Sequence, residues 1–190
     1  CGIFGVWEDD GEPIFSQKLV RKLLFYRGID GFGTQSFDSD KGLFLHSRLA
    51  IRDTSDKSAQ PIASPSKRYI LCWNGEIYNA AQIIGSKLES DTLELLHSFE
   101  RFGVVRSLEL LRGMYAIAVY DDKLKVLHLI RDMFGEKPLF YSFCANRRSL
   151  IFGSNIAMLD QVNSPIFDDD ACSKFVLACG SENSKIMVCH

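Results

Sequence analysis

The sequence has no run of apolar residues approaching the roughly 20 that a membrane-spanning helix requires, which excludes a helical span. It has no surplus of charge: 22 Lys and Arg stand against 24 Asp and Glu, for a net charge of −2. Without a basic field, nucleic acid and anionic membrane are excluded as partners. No C-x-x-C pair occurs among Cys1, Cys72, Cys144, Cys172, Cys179 and Cys189, and their scatter fits neither a zinc site nor a compact disulfide scaffold. A reduced, cytoplasmic chain is expected, with Cys72 and Cys144 as small buried hydrophobes. No basic, apolar leader opens the sequence, so no secretion signal is expected. Repeats and low-complexity linkers are also missing, and 190 residues read as one domain, 1–190, with a sizeable core. Residue 1 is cysteine rather than methionine.

What is present is a regular alternation of strand and helix signals. IFGVW (3–7) reads as a strand closed by the turn EDDGEP, and apolar Phe15, Leu19, Val20, Leu23 and Leu24 set a helical period over 15–28. GIDGFG (28–33) reads as a mobile or tightly bent loop. In GLFLHSRLAI (42–51), Leu43, Leu45, Leu49 and Ile51 share one strand face, while His46 and Arg48 take the other. RYILCW (68–73) is a strand ending at Asn74-Gly75. SDTLELLHSFERFG (90–103) is a helix with a Ser or Asp cap and a terminal glycine. VVRSLELLRG adds a second, short helix. Hairpins are predicted over 115–132, turning at Asp121–Lys123, and over 138–154, turning at Asn146–Arg148. A capped helix is predicted over 168–180. Strands joined by short turns, with helices at intervals, predict an α+β fold of antiparallel sheets covered by helices.

Three places can carry chemistry, each with a plainer alternative. Cys1 holds a thiol and an α-amino group on one residue. With an amine titrating near ~7.7–8.0, that residue can act as nucleophile and base together, or it can be merely where the numbering starts. Asn74-Gly75 is a strong hairpin signal. It also offers a side-chain NH2 and an unobstructed backbone N–H, two donors suited to an oxyanion. Arg48 can clamp a carboxylate in bidentate fashion, or be a solvated or paired arginine. Asp91 and Glu76 can receive an ammonium, although Asp91 can equally be a helix cap. His46, His97 and His128 read as structural, since no Cys–His–Asn arrangement is identifiable.

These elements coincide in order with a known pattern: CGIFG at the terminus, RG-x-DG-x-G at 27–33, HSRLAI at 46–51, AQPI at 59–62, WNGEIYN at 73–79, SDT at 90–92, LRGMYAIAVYD at 111–121, RDMFGEKPLFY at 131–141 and FGSNIAML at 152–159. On these motifs the chain resembles the class II glutamine amidotransferase domain, of the kind at the N-terminus of glutamine-hydrolysing asparagine synthetases. The resemblance implies an N-terminal nucleophile hydrolase fold, a four-layer αββα sandwich with two mainly antiparallel sheets between helical layers. It also implies cleavage of glutamine to glutamate and ammonia. In that reading Cys1 is the nucleophile, its α-amine the base, and Asn74 and Gly75 the oxyanion hole. Arg48 binds the α-carboxylate, Glu76 and Asp91 the α-ammonium, and main chain near Leu49 and Ile51 lines the slot. Arg27, Gly28, Asp30 and Gly31 belong to a lid that closes on glutamine.

Some residues depart from the pattern. Tyr26 and Ile29 replace a histidine and a proline, Leu93 follows SDT where Glu is usual, and the connection from Asn79 to Ser90 is short, which predicts a missing peripheral element. No Ser-Gly-Gly pyrophosphate loop occurs, and the chain ends at SKIMVCH, near where a synthetase domain would follow. The implied partners are glutamine and an ATP-dependent synthetase domain or subunit that accepts ammonia. No metal or cofactor is expected in this domain, ATP and magnesium belonging to the partner. Oligomeric state, homo-oligomer included, stays open. The competing readings are a degenerate, catalytically weak domain acting as a binding or regulatory subunit, and an acylase for another amide.

Overall fold

The computed structural model describes residues 1–8, 15–51, 56–85, 90–144, 148–159 and 185–189; the side chains of Ile84, Cys144 and 185–189 are not described. Residues 9–13 of the EDDGEP turn, residues 146–147 of the second hairpin's turn and the helix expected over 168–180 lie outside these residues.

Among the described residues, ten strands form two sheets. The first contains β1 (Gly2–Glu8), β2 (Gly31–Phe37), β3 (Gly42–Arg48), β8 (Phe140–Cys144) and β9 (Ser149–Gly153), in the order β2-β3-β1-β9-β8 and antiparallel throughout. The second contains β4 (Ile62–Ala63), β5 (Tyr69–Ile77), β6 (Gly113–Asp121), β7 (Val126–Arg131) and β10 (Lys185–Cys189), in the order β10-β7-β6-β5-β4. It is antiparallel except at β10, which runs parallel to β7.

Side-chain alternation sorts the core into layers. Ile3, Trp7, Phe44, Leu150 and Phe152 of the first sheet pack against Cys72, Ala116, Ala118, Tyr120, Leu127 and Leu129 of the second. Phe4, Val6, Leu45 and Ile151 face the other way, onto Val20 and Leu24 of α1 (Gln17–Phe25) and onto Met158. Tyr69, Leu71, Trp73, Ile117 and Val119 face Ala80 of α2 (Ala80–Ile84), Leu95, Leu96 and Phe99 of α3 (Asp91–Phe102) and Val104 of α4 (Val104–Leu110). The result is the four-layer αββα sandwich. Asp38, in the β2–β3 turn, ties the two sheets together by accepting from Trp7 Nε1 and Tyr120 OH, each at 2.8 Å.

Several local expectations are corrected. The Asn74-Gly75 hairpin does not form: both residues lie within β5, opposite Ala116 and Tyr115. A Cβ on Gly75 would fall 2.2 Å from Met114 O, so glycine here answers a close strand approach rather than a turn. The glycine-rich stretch 28–33 is not a free loop; Gly31 and Gly33 belong to β2. His46 of β3, read as structural, is 1% exposed beside Phe44. Leu49 and Ile51 fall beyond the strand and are 41% and 74% exposed. The helix expected over 15–28 is shorter because Ser16 caps it, its side chain accepting the Leu19 N–H. The short 79–90 connection carries α2 over Ala80–Ile84.

Candidate active site

Cys1, Arg48, Leu49 and the 27–31 stretch meet at one end of the first sheet, whereas Asn74, Gly75 and Glu76 lie on β5 of the second sheet and Asp91 on α3. Cys1 precedes β1, half-buried, and its sulfur is embraced by one residue of the segment after β3. Leu49 N–H donates to Sγ at 3.4 Å, and Sγ lies 3.7 Å from Leu49 O. Arg48, the last residue of β3, is half-buried and donates from Nη2 to Ser58 Oγ at 3.3 Å.

The stretch expected to act as a lid is latched onto this same strand end. Arg27 Nε donates to Cys1 O at 3.2 Å. Asp30 N–H reaches Arg48 O at 3.0 Å, while its carboxylate accepts the Ala50 N–H at 2.8 Å. Gly31 pairs with Arg48 in the ladder. Gly28 lies so close that an added Cβ would sit 2.4 Å from the Arg48 carbonyl carbon. Tyr26 and Ile29, the two departures from the family pattern, point outward at 80% and 68% exposure. Ile51 also turns its side chain to solvent.

In the second sheet, β5 carries the oxyanion candidates Asn74 and Gly75 and the ammonium candidate Glu76. Asn74 is buried and shares the inter-sheet face with Cys72; Glu76, half-buried, falls on that face by alternation. The direction of the Gly75 N–H follows from the ladder. Tyr78 N–H points toward β6, to Arg112 O, whereas Trp73 N–H points away from β6, to Gln60 Oε1 at 2.7 Å. Alternation therefore turns the Gly75 N–H away from β6 as well. On that side β4 pairs only with Ile70 and Leu71, so among the described residues no strand covers Gly75. Asp91 opens α3 as its first residue, with Ser90 as the cap that accepts the Leu93 N–H. The neighbouring Thr92 accepts from Trp73 Nε1 at 3.1 Å, docking this helix start on the helix-facing side of β5, opposite the face that Asn74 shares with Cys72.

The electrostatics centre on the Cys1 amine. It is lowered from 8.0 to about 6, chiefly by burial, then by the Arg27 and Lys137 cations. At neutral pH it is mostly a free base beside a thiol. His46 is held down to about 3 by burial, by the charge on the Cys1 amine and by Arg48, although the nearby Trp73 main chain favours its protonated form slightly. Among the described residues, neither ring nitrogen has a hydrogen-bond partner of ordinary geometry. Cys72, the other free cysteine among the described residues, is fully buried with its thiol pushed well up, and it has no such role.

Sequence reasoning missed three contributors. Gln60 and Ser58 act through contacts distant along the chain, with only the AQPI motif as a signal for the first. Lys137 lies within RDMFGEKPLFY, and nothing local ties it to Cys1.

Comparison with known proteins shows the family. The family model described as "Glutamine amidotransferase domain" matches residues 1–188. Asparagine synthetase [glutamine-hydrolyzing] 3 of Bacillus subtilis is 34% identical over 82% of this chain and 26% of its own length. Putative asparagine synthetase [glutamine-hydrolyzing] 1 of Methanocaldococcus jannaschii is 36% identical over 79% and 33%, respectively. Asparagine synthetase B [glutamine-hydrolyzing] of Escherichia coli is 31% identical over 75% and 27%. The chain thus spans about a quarter to a third of the length of these relatives. It belongs to the glutamine amidotransferase domain family.

Proposed function

We propose that this domain hydrolyses glutamine to glutamate and ammonia through a thioester on Cys1, and that the ammonia passes to an ATP-dependent synthetase domain or subunit. The observation that carries the reading is the Cys1 amine, lowered to about 6 on the same residue as a half-buried thiol whose sulfur is oriented by Leu49. In the reaction the amine takes the thiol proton and the sulfur adds to the carboxamide carbon. The Asn74 side-chain NH2 and the uncovered Gly75 N–H receive the developing oxyanion. The amide nitrogen, protonated by the amine, leaves as ammonia, and water then releases glutamate from the sulfur. Arg48 holds the α-carboxylate, with Ser58 fixing its guanidinium. Glu76 and Asp91 hold the α-ammonium, and main chain at Leu49 and Ile51 borders the slot. Arg27, Gly28, Asp30 and Gly31 close the site when glutamine is bound.

The partner reading is supported by the relatives' names, asparagine synthetase [glutamine-hydrolyzing], and by the exposed apolar side chains of Tyr26, Ile29, Leu49 and Ile51 near Cys1 and Arg48. ATP and magnesium act in that partner. The proposed compartment is the cytoplasm, in keeping with reduced cysteines. No helix among the described residues is long and apolar enough to cross a membrane. No observation favours the catalytically silent reading.

Treatment with a diazoketone analogue of glutamine, followed by mass spectrometry, tests the assignment. One adduct on Cys1, blocked by excess glutamine, is expected. A folded protein with a free terminus and no adduct would refute it. Glutamate release is expected to rise when the synthetase partner is added.

A further inference from the structure

The edge strand β4 stops before it can cover the site end of β5. It pairs with Ile70 and Leu71 only, and the next residue whose main chain faces that edge is Trp73, buried at 2% exposure. In an antiparallel ladder the N–H and C=O of one residue point the same way. Both Trp73 groups therefore point away from β6 and need partners, since buried main chain is rarely left unpaired. A side chain takes the place of the missing strand for one of them: Gln60 Oε1 accepts the Trp73 N–H at 2.7 Å. For the Trp73 carbonyl no hydrogen bond of ordinary geometry is formed among the described residues.

The first sheet brings His46 to this place. In its two ladders His46 opposes Ile3 and Gly33. Cross-strand partners share a face, and Ile3 lies in the core between the sheets, so the imidazole faces the second sheet. Two contacts fix what it meets there. Leu45 O, the carbonyl just before His46, lies 3.5 Å from Cys72 Sγ. Gly33 stands against Gln60, where a Cβ would fall 2.1 Å from Gln60 O. Cys72 precedes Trp73 and Gln60 is bonded to it, so the imidazole stands under Trp73 between these two anchors. Two buried polar groups without an ordinary partner, the ring and the Trp73 carbonyl, thus face each other across the sheet interface. The ring feels the Trp73 main chain as an acceptor, and with the N–H taken by Gln60 that acceptor is the carbonyl.

We propose that His46 is a positioning residue for Asn74: its ring N–H holds the Trp73 carbonyl from the first sheet and fixes the Trp73–Asn74 peptide relative to Cys1. This rests on the reading of Asn74 as an oxyanion donor. His46 lies two residues from Arg48 and opposite Ile3, itself two residues from Cys1. The strands that carry the nucleophile and the carboxylate clamp therefore also carry this support. An uncharged imidazole has one N–H to give, and burial keeps the ring uncharged at working pH. Gln60 and His46 together replace a strand where a strand would have covered the Gly75 N–H. On the opposite side, β6 backs the same stretch. Tyr115, the register partner of Gly75, gives its N–H to the buried Asp132 carboxylate, which also collects those of Phe134, Glu136 and Lys137.

The test labels the carbonyls of the two tryptophans, Trp7 and Trp73, with 13C and compares wild type with H46M, N74A and the double variant. Methionine roughly keeps the volume of the imidazole and removes its donor. In H46M the Trp73 resonance is expected to move upfield while that of Trp7 stays in place. Glutaminase kcat is expected to fall about 10- to 100-fold with KM within about twofold. In the N74A background the same substitution should cost less than about threefold, because its effect passes through Asn74. In wild type, [15N]histidine spectra should show His46 as one tautomer with an exchange-protected ring N–H from about pH 5 to 9. A rapidly exchanging ring N–H there overturns the proposal whether or not H46M folds. An unmoved Trp73 resonance in folded H46M, or full additivity with N74A, overturns it as well. A moved resonance together with wild-type kcat in N74A supports the hold on Trp73 and refutes Asn74 as an oxyanion donor.

Discussion

Replacing Asp132 tests whether one carboxylate organises the far side of the site. Its four accepted N–H groups fall into two classes. Those of Phe134 and Glu136 belong to exposed residues and can turn to water, whereas those of Tyr115 and Lys137 belong to half-buried ones. A donor left unsatisfied away from water costs about 1–3 kcal/mol, so Asp132→Ala is expected to destabilise the domain by about 2–5 kcal/mol. Asp132→Asn retains one carbonyl oxygen and sets an NH2 against the remaining donors, for about 1–3 kcal/mol by the same reasoning. Urea unfolding at unchanged m should show midpoints lowered by roughly 1 M or more for the alanine variant. A second reading comes from acid. Burial raises the Asp132 carboxyl, but the four N–H groups outweigh it and the net shift is downward. The unfolded chain, with Asp near ~3.9, then binds the proton more readily, so this stabilisation is complete above that pH and is lost as pH falls through the folded value. The gap between wild type and Asp132→Asn should narrow below about pH 4. An alanine variant within about 0.5 kcal/mol of wild type would refute the central place given to this carboxylate.

Three further outcomes follow from the site. Asn74→Ala should lower kcat by about 100- to 1,000-fold with little change in melting temperature, because the side chain is assigned to the oxyanion rather than to the sheet; a kcat within threefold would remove Asn74 from that role. Gly28→Ala places a Cβ against the Arg48 main chain and should destabilise by about 1–3 kcal/mol while raising KM, read by thermal melting and initial rates. The acid limb of kcat/KM should have its midpoint at about 6, the value of the Cys1 amine. At pH 5 this leaves about a tenth of the plateau, and a midpoint near 8 would contradict the cationic surroundings described for it.

Local signals carried much of the fold into the sequence. Ser90 and Gly103 bracket α3 because capping chemistry is written in neighbouring residues. The strands of both hairpins show in their β-rich runs, and β6–β7 turns within a residue or two of the expected position. Asn74-Gly75 misled because the pair's turn preference is local, whereas the close approach of Met114 O that demands a glycine comes from a strand about 40 residues away. The face of β3 bearing His46 looked polar, but it lies under the second sheet, which only the packing of two sheets can show. β10 could not be foreseen, since a parallel neighbour leaves no turn between partners. Of the site, Cys1, Arg48 and the 27–31 stretch were legible through motif order, and the structure gathers them at the end of β3. Lys137 was not, because electrostatic reach between residues 1 and 137 has no sequence period.

Everything in the proposed chemistry needs an unblocked amine on Cys1. The most direct measurement is glutamate release by protein whose intact mass confirms a free Cys1, against the same protein acetylated there or carrying one extra residue ahead of it. Loss of the base should lower kcat/KM by about 100-fold or more. Undiminished hydrolysis by the blocked protein would contradict the account.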